Sequence, residues 1–139
     1  MESKQVKIYV AGGWSFRVHL QQIMNQLKEK GFNVVSNWPS RENGIRTPQQ
    51  LEQDAKWDIL EVLQCDVLIA IMDNKDYPYR GTFTEIGCSI GANKRTIIVC
   101  PGEYDQESCK YTHDCMNNLF YFYPNIIHVN TLEEAIKLI

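Results

Sequence analysis

The sequence predicts an α/β fold: a flavodoxin-like or Rossmann-like three-layer sandwich on a five-stranded parallel sheet in the order 2-1-3-4-5. Three observations predict it. Short β-branched runs alternate with helical ones from end to end. The middle run "DVLIAIM" (66–72) is apolar at almost every position, as a strand covered on both faces must be. The 139 residues also show no repeat or linker, so residues 1–139 make one domain long enough to bury a core.

The elements follow in order. "VKIYVAG" (6–12) is a β-branched run that ends in glycines. Residues 17–31 carry Leu20, Ile23, Met24 and Leu27 at helical spacing, with Gly31 as the stop. "NVVSNW" (33–38) reads as a strand. Residues 47–64 open with a Thr cap and Pro48 at the first helical position, and the apolar arc Leu51, Ala55, Ile59 and Val62 predicts the buried face. After the 66–72 strand, "TFTEIGCSIGANK" (82–94) reads as a helix. Its core stripe is Phe83, Ile86 and Ile90, with Glu85 pointing away. "TIIVCP" (96–101) and "NIIHVN" (125–130) are strands, and 131–139 is a closing helix. The stretch 103–124 has no clear period; it has room for a short helix, and its aromatics "FYFY" suggest packing or subunit contact.

Composition narrows the class. Hydrophobic residues make up 44% and charged residues 22%, which fits a soluble globular domain. A net charge of −3 and the lack of a basic run argue against a nucleic-acid partner. No apolar run reaches membrane-spanning length and no signal-peptide pattern opens the chain, so the expectation is a cytoplasmic protein with no membrane partner. Five cysteines without a C-x-x-C pattern fit reduced, mostly buried thiols. Cys109, His113 and Cys115 lie close in sequence but lack a fourth ligand at a recognisable spacing, so no metal is expected.

In the predicted strand order a ligand binds beyond the C-terminal ends of strands 1 and 3. After strand 1, "AGGWSFR" offers Gly12 and Gly13 for close backbone approach, and Trp14 and Phe16 either to stack on a planar base or to cover the helix end. After strand 3, "DNKDYPYRGTFTEIG" brings Asp73, Asp76, Tyr77, Tyr79, Arg80, Gly81 and Glu85 to the same edge. Glu85 has two readings. It completes a capping box with Thr82, or it is a nucleophile in the first helical turn, kept ionised by the helix dipole. Asp58 is an acid inside the apolar arc of its helix, either a stripe-edge acid reaching water, which this fact alone favours, or one facing a polar crevice.

These pieces resemble the nucleoside 2-deoxyribosyltransferase family, including relatives that hydrolyse deoxynucleoside monophosphates. The carriers are "KIYVAGGWSF", "WDILEVLQCDVLIAIMD", "RGTFTEIGCSIGANKRTIIV" and "YPNIIHVNTLEEAI", in that order over nearly the whole chain. The resemblance implies that Glu85 attacks C1′ of the deoxyribose and that Tyr9 orients it. It implies that Asp58 contacts the nucleoside and that Trp14 lines the base pocket. Ser15 and Arg17 match phosphate-binding residues of the monophosphate hydrolases. Two departures stand out. The transferases' acid six residues before the nucleophile is Tyr79 here, with Asp76 the candidate substitute, and a family glycine is Phe83. An Asn from a neighbouring subunit completes the sugar site in the transferases, and Asn118 is the candidate, so a homo-oligomer is expected. The implied partners are a small-molecule deoxynucleoside or deoxynucleotide and a free nucleobase, with no metal or redox cofactor. The rival readings are a phosphoribohydrolase-like enzyme and a non-catalytic nucleotide-binding module.

Overall fold

The computed structural model describes residues 5–41, 46–113 and 116–139. Five parallel strands form the main sheet: β1 (Lys7–Gly12), β2 (Asn33–Val34), β3 (Val67–Ile71), β4 (Arg95–Val99) and β7 (Ile126–Val129), in the order β2-β1-β3-β4-β7. Counting sheet strands alone, this is the expected 2-1-3-4-5. The helices are α1 (Arg17–Glu29), α2 (Pro48–Gln64), α3 (Arg80–Gly91) and α4 (Leu132–Lys137). Every residue of β3 is buried, as its continuous apolar run requires. Among the described residues no helix is long and apolar enough to cross a membrane.

Local chemistry explains the ends. Gly31 follows α1 at φ +93, a backbone conformation that suits glycine. Thr47 caps α2 with a full capping box, since its side chain accepts from Gln50 N and the Gln50 side chain accepts from Thr47 N. At α4, Thr131 accepts from Glu134 N, while Glu134 Oε2 accepts from Asn130 N instead of Thr131 N.

The expected strand over 33–38 is only two residues long. Its would-be ladder partner on β1 is satisfied by side chains instead. Val10 N donates to Ser36 Oγ at 3.0 Å, and Trp38 Nε1 donates to Val10 O at 2.8 Å. The chain then turns through a 3₁₀ segment, Trp38–Ser40, and leaves the sheet.

The stretch 103–124 holds a two-residue antiparallel hairpin, β5 (Tyr104–Asp105) with β6 (Lys110–Tyr111), and a 3₁₀ turn at Leu119–Phe122. Of its aromatic cluster, Tyr121 is buried and Phe120, Phe122 and Tyr123 are exposed. Cys65 and Cys100 are buried, but Cys109 on the hairpin is exposed, so not every thiol is sheltered. Cys115 lies outside the described residues.

Two predicted helix faces need correction. In α2 only Val62 of the expected arc is buried, while Leu51, Ala55 and Ile59 are exposed. The face turned inward carries Asp54, Asp58 and Glu61. In α3 the buried residues are Thr82, Ile86 and Ser89, with Phe83 and Ile90 only half-buried. Ser89 fits there because its hydroxyl hydrogen-bonds Thr96 of β4 at 2.8 Å.

Ser36→Ala is expected to orphan the buried Val10 N–H and destabilise the fold by about 1–2 kcal/mol. A lower urea midpoint at an unchanged m-value checks it.

Candidate active site

The site lies at the C-terminal edge of β1 and β3, where the winding of the sheet reverses. A cavity of about 410 Å³ opens there, lined by residues from β1, the turns after it, α2 and the start of α3. Glu85 and Asp58 line it with Gly12, Gly13, Trp14, Tyr79 and Gly81. The sequence pattern did not single out Trp38, Arg41, Arg46, Asp54 or Pro78, and noted Thr82 only as a cap, yet all of these also line it. Tyr77 and Arg80, noted only for lying beyond strand 3, complete the wall.

Glu85 does not occupy the predicted position in its helix. α3 begins at Arg80 with Tyr79 as its N-cap, so Glu85 falls in the second turn and Thr82 is not a cap. Tyr79 holds a left-handed conformation (φ 53, ψ 40), and no acid sits in the first turn. Glu85 lines the cavity from α3. Thr82, Glu85, Ile86 and Ser89 share the inward face of α3.

Burial therefore governs the acid, not the helix dipole. Desolvation, then the charge of Asp58, pushes the Glu85 carboxyl up to about 8. Tyr9, fully buried in β1, interacts with Glu85, and its phenol is pushed up by burial first and by Glu85 next. The contact falls short of a formed hydrogen bond: among the described residues neither the Tyr9 hydroxyl nor Glu85 Oε2 has a partner, and both are out of contact with solvent. Glu85 lines the cavity, and Tyr9 lies behind it, outside the lining.

Asp58 is not the unpaired acid that its sequence position suggested. Arg41 Nη1 donates to Asp58 Oδ1 at 2.7 Å, and Arg41 Nη2 reaches Glu61 at 3.3 Å. Arg46 pairs with Asp54. Burial raises the Asp58 carboxyl, and Arg41 opposes the rise. Burial likewise pushes Glu61 up to about 7.

The walls are aromatic. Trp14 and Trp38 lie 6.0 Å apart at 39°, and Tyr77 meets Tyr79 edge to face at 4.8 Å. The guanidiniums of Arg17 and Arg46 lie 5.0 Å and 5.1 Å from the centre of the Trp14 ring. The glycines serve packing at least as much as ligand approach. A Cβ on Gly12 would stand 2.7 Å from Leu20 Cδ1, and one on Gly13 2.6 Å from the Tyr77 ring.

Several candidates fall outside the cavity. Ser15 is exposed, and Arg17 donates to Trp14 O at 3.3 Å while lining a separate groove. Asp76 is exposed, its backbone N–H held by the Asn74 side chain. Tyr79 does line the cavity, but its hydroxyl accepts from Asn74 N at 2.9 Å. Asn118 caps the 3₁₀ turn by accepting from Phe120 N, and it does not line the cavity of its own chain.

This arrangement presents the Glu85 carboxyl, with Asp58 and Asp54 beside it, to a small guest held between flat aromatic walls. It suits attack on an electrophilic carbon of a ligand that carries a planar group.

Residues 8–120 match the model of a family described as Nucleoside 2-deoxyribosyltransferase. No curated protein matches the chain. Among solved structures, a CMP N-glycosidase from Clostridium botulinum is 20% identical, with 95% of each chain covered and a TM-score of 0.58. A 2-deoxyribosyltransferase from Bacillus psychrosaccharolyticus is 23% identical over 75% of this chain and 80% of that one, with a TM-score of 0.60. A 2-deoxyribosyltransferase from Leishmania mexicana is 16% identical over 96% and 95%, with a TM-score of 0.61. At such identities these likenesses establish the fold.

The Glu85 carboxyl, raised from 4.5 to about 8, makes the folded state bind a proton that the unfolded chain releases. That stabilisation is full below the unfolded value and is lost as pH rises through about 8. Glu85→Gln is therefore expected to gain in melting temperature over the parent between pH 5 and pH 9. Thermal scans across that window check it.

Proposed function

Because the chain belongs to the nucleoside 2-deoxyribosyltransferase family, we propose that it cleaves the N-glycosidic bond of 2′-deoxynucleosides and transfers the deoxyribosyl group to another nucleobase. The observation that carries this reading is the Glu85 carboxyl beside Tyr9 at the floor of an aromatic-walled cavity. In it, an ionised Glu85 oxygen attacks C1′, the C1′–N bond breaks, and the base leaves with the electron pair and takes up a proton. A second base then attacks C1′ and frees Glu85, with overall retention. Asp58 contacts the bound nucleoside from α2. A cytoplasmic role in nucleotide salvage belongs to the same reading.

A second reading, hydrolysis of deoxynucleoside 5′-monophosphates, is favoured by the rim of the cavity. Arg80 lines it at the first position of α3, where the first N–H groups lack helical acceptors. The buried Thr82 hydroxyl beside it has no partner among the described residues. Incubation with deoxynucleosides and their monophosphates, with and without an acceptor base, separates the readings. Base release only from monophosphates favours hydrolysis, and binding without release leaves a nucleotide-binding module.

Glu85→Ala is expected to lower turnover by at least about 10³-fold while the protein stays folded, since the side chain is the proposed nucleophile. Near-normal turnover would remove the reading. A 2′-fluoro substrate should leave a sugar adduct on Glu85, and an adduct elsewhere would reassign the nucleophile.

We also propose a homo-oligomer, a dimer or higher, with the site completed across the interface. Leu119, Phe120, Phe122 and Tyr123 are exposed together, and α2 leaves Leu51, Trp57, Leu60 and Leu63 uncovered. Mixing Glu85→Ala with Asn118→Ala chains under subunit exchange should restore part of the activity. Proven exchange without recovery would confine the site to one chain.

A further inference from the structure

We propose that Arg41 is a positioning residue for Glu85: its guanidinium binds Asp58 and Glu61 into one fixed cluster and supplies the counter-charge that lets Glu85 work beside them. The proposal rests on the glycosidic reading for its purpose, but its physical content is testable without turnover.

The geometry is specific. Arg41 follows the 3₁₀ turn that leaves the sheet, and its side chain is 11% exposed. Nη1 donates to Asp58 Oδ1 at 2.7 Å and to the Asp54 carbonyl at 3.4 Å. Nη2 donates to Asn37 Oδ1 at 2.9 Å and lies 3.3 Å from both Glu61 oxygens. The guanidinium also stacks over Trp57, 5.3 Å from the ring centre. One planar fork thus spans two carboxylates a helical turn apart, which a lysine ammonium has no geometry to do.

A buried guanidinium is costly unless its partners repay the lost hydration. Here the repayment is mutual. Asp54, Asp58 and Glu61 all come from α2, Tyr9 from β1, and Arg80 and Cys88 from α3 itself. Arg46 answers Asp54. Arg41, Asp58 and Glu85 line the same cavity, where Asp58 and Glu61 act to raise Glu85 and Arg41 acts to lower it. Without Arg41 three acids would share a desolvated space, and each would hold its proton more firmly. A mere staple of the turn onto α2 would use the same bonds. It would not control how Glu85 titrates, and this separates the two roles.

The test is ¹³C NMR of carboxyl-labelled glutamate in the parent and in Arg41→Met, Arg41→Lys and Glu61→Gln proteins, with the pH dependence of kcat/KM measured alongside. The parent Glu85 is expected to titrate near about 8. In Arg41→Met the midpoint should rise, and kcat/KM at pH 7 should fall by about tenfold for each unit of the rise. Arg41→Lys should restore part of the shift, and Glu61→Gln should move the midpoint down. If Arg41→Met fails to fold, Arg41→Lys carries the test, because a single ammonium leaves one carboxylate unanswered and the midpoint must still rise. An unmoved Glu85 midpoint in a folded Arg41 variant overturns the proposal even where the parent releases base. A parent that releases no base, with the midpoint moving as stated, removes the glycosidic reading and leaves the electrostatic role of Arg41 standing.

Discussion

Asp54, Asp58 and Glu61 lie on one face of α2 at i, i+4 and i+7, and that face turns inward toward Glu85. Like charges gathered in a desolvated space repel one another and lose hydration together. Two guanidiniums make the arrangement tolerable, Arg41 between Asp58 and Glu61 and Arg46 on Asp54. Their presence decides how α2 is rotated about its axis. With its polar face turned in, the helix must leave Leu51, Trp57, Leu60 and Leu63 facing out. Those apolar side chains do not report a poorly packed helix. They are what remains when the inward face is given to charge.

The backbone route that delivers Arg41 depends in turn on how the second strand ends. Its two residues pair with Lys7 and Ile8, and then the chain departs. Departure is possible because Ser36 and Trp38 satisfy Val10 in place of a longer ladder. A buried backbone N–H or carbonyl left without a partner would have opposed it. The early exit frees the 3₁₀ turn to cross above the edge of the sheet. It places Trp38 beside Trp14 and sets the guanidinium of Arg41 over α2. One pair of side-chain hydrogen bonds thus shapes both the aromatic wall and the charged wall of the cavity.

The floor of the cavity holds a tension that suits covalent chemistry. A nucleophile needs its charge, and burial takes the charge away. Desolvation makes an ionised carboxylate more reactive once formed, while nearby cations and a phenol oppose the loss of ionisation. In the proposed reaction Tyr9 does the second job, from a fully buried strand position beside Glu85. Tyr79 has a different part. Its left-handed backbone starts α3, its ring packs on Tyr77, and its hydroxyl ties back to Asn74. It shapes the pocket wall at a position where the resemblance implied an acid.

The sequence by itself determined the order of elements, the parallel sheet and the edge beyond strands 1 and 3 where Trp14 and Glu85 lie. Those depend on local signals: apolar runs, a Thr-Pro helix start, a glycine stop, and the alternation that forces right-handed crossovers. The resemblance carried Glu85 and Asp58 further than periodicity did. Only the tertiary structure decided which way α2 and α3 face. Leu51, Ala55 and Ile59 make a convincing apolar arc, yet an arc does not say whether the protein or something else covers it. Arg41 and Arg46 were equally illegible. They lie in a polar stretch, near in space but far in sequence from the carboxylates they answer, and nothing in their neighbours marks them. The resemblance offered Ser15 and Arg17, and position after strand 3 offered Asp76, but none of the three lines the cavity. Charge pairing and helix rotation are settled by partners that meet only once the chain has folded, so no local pattern encodes them.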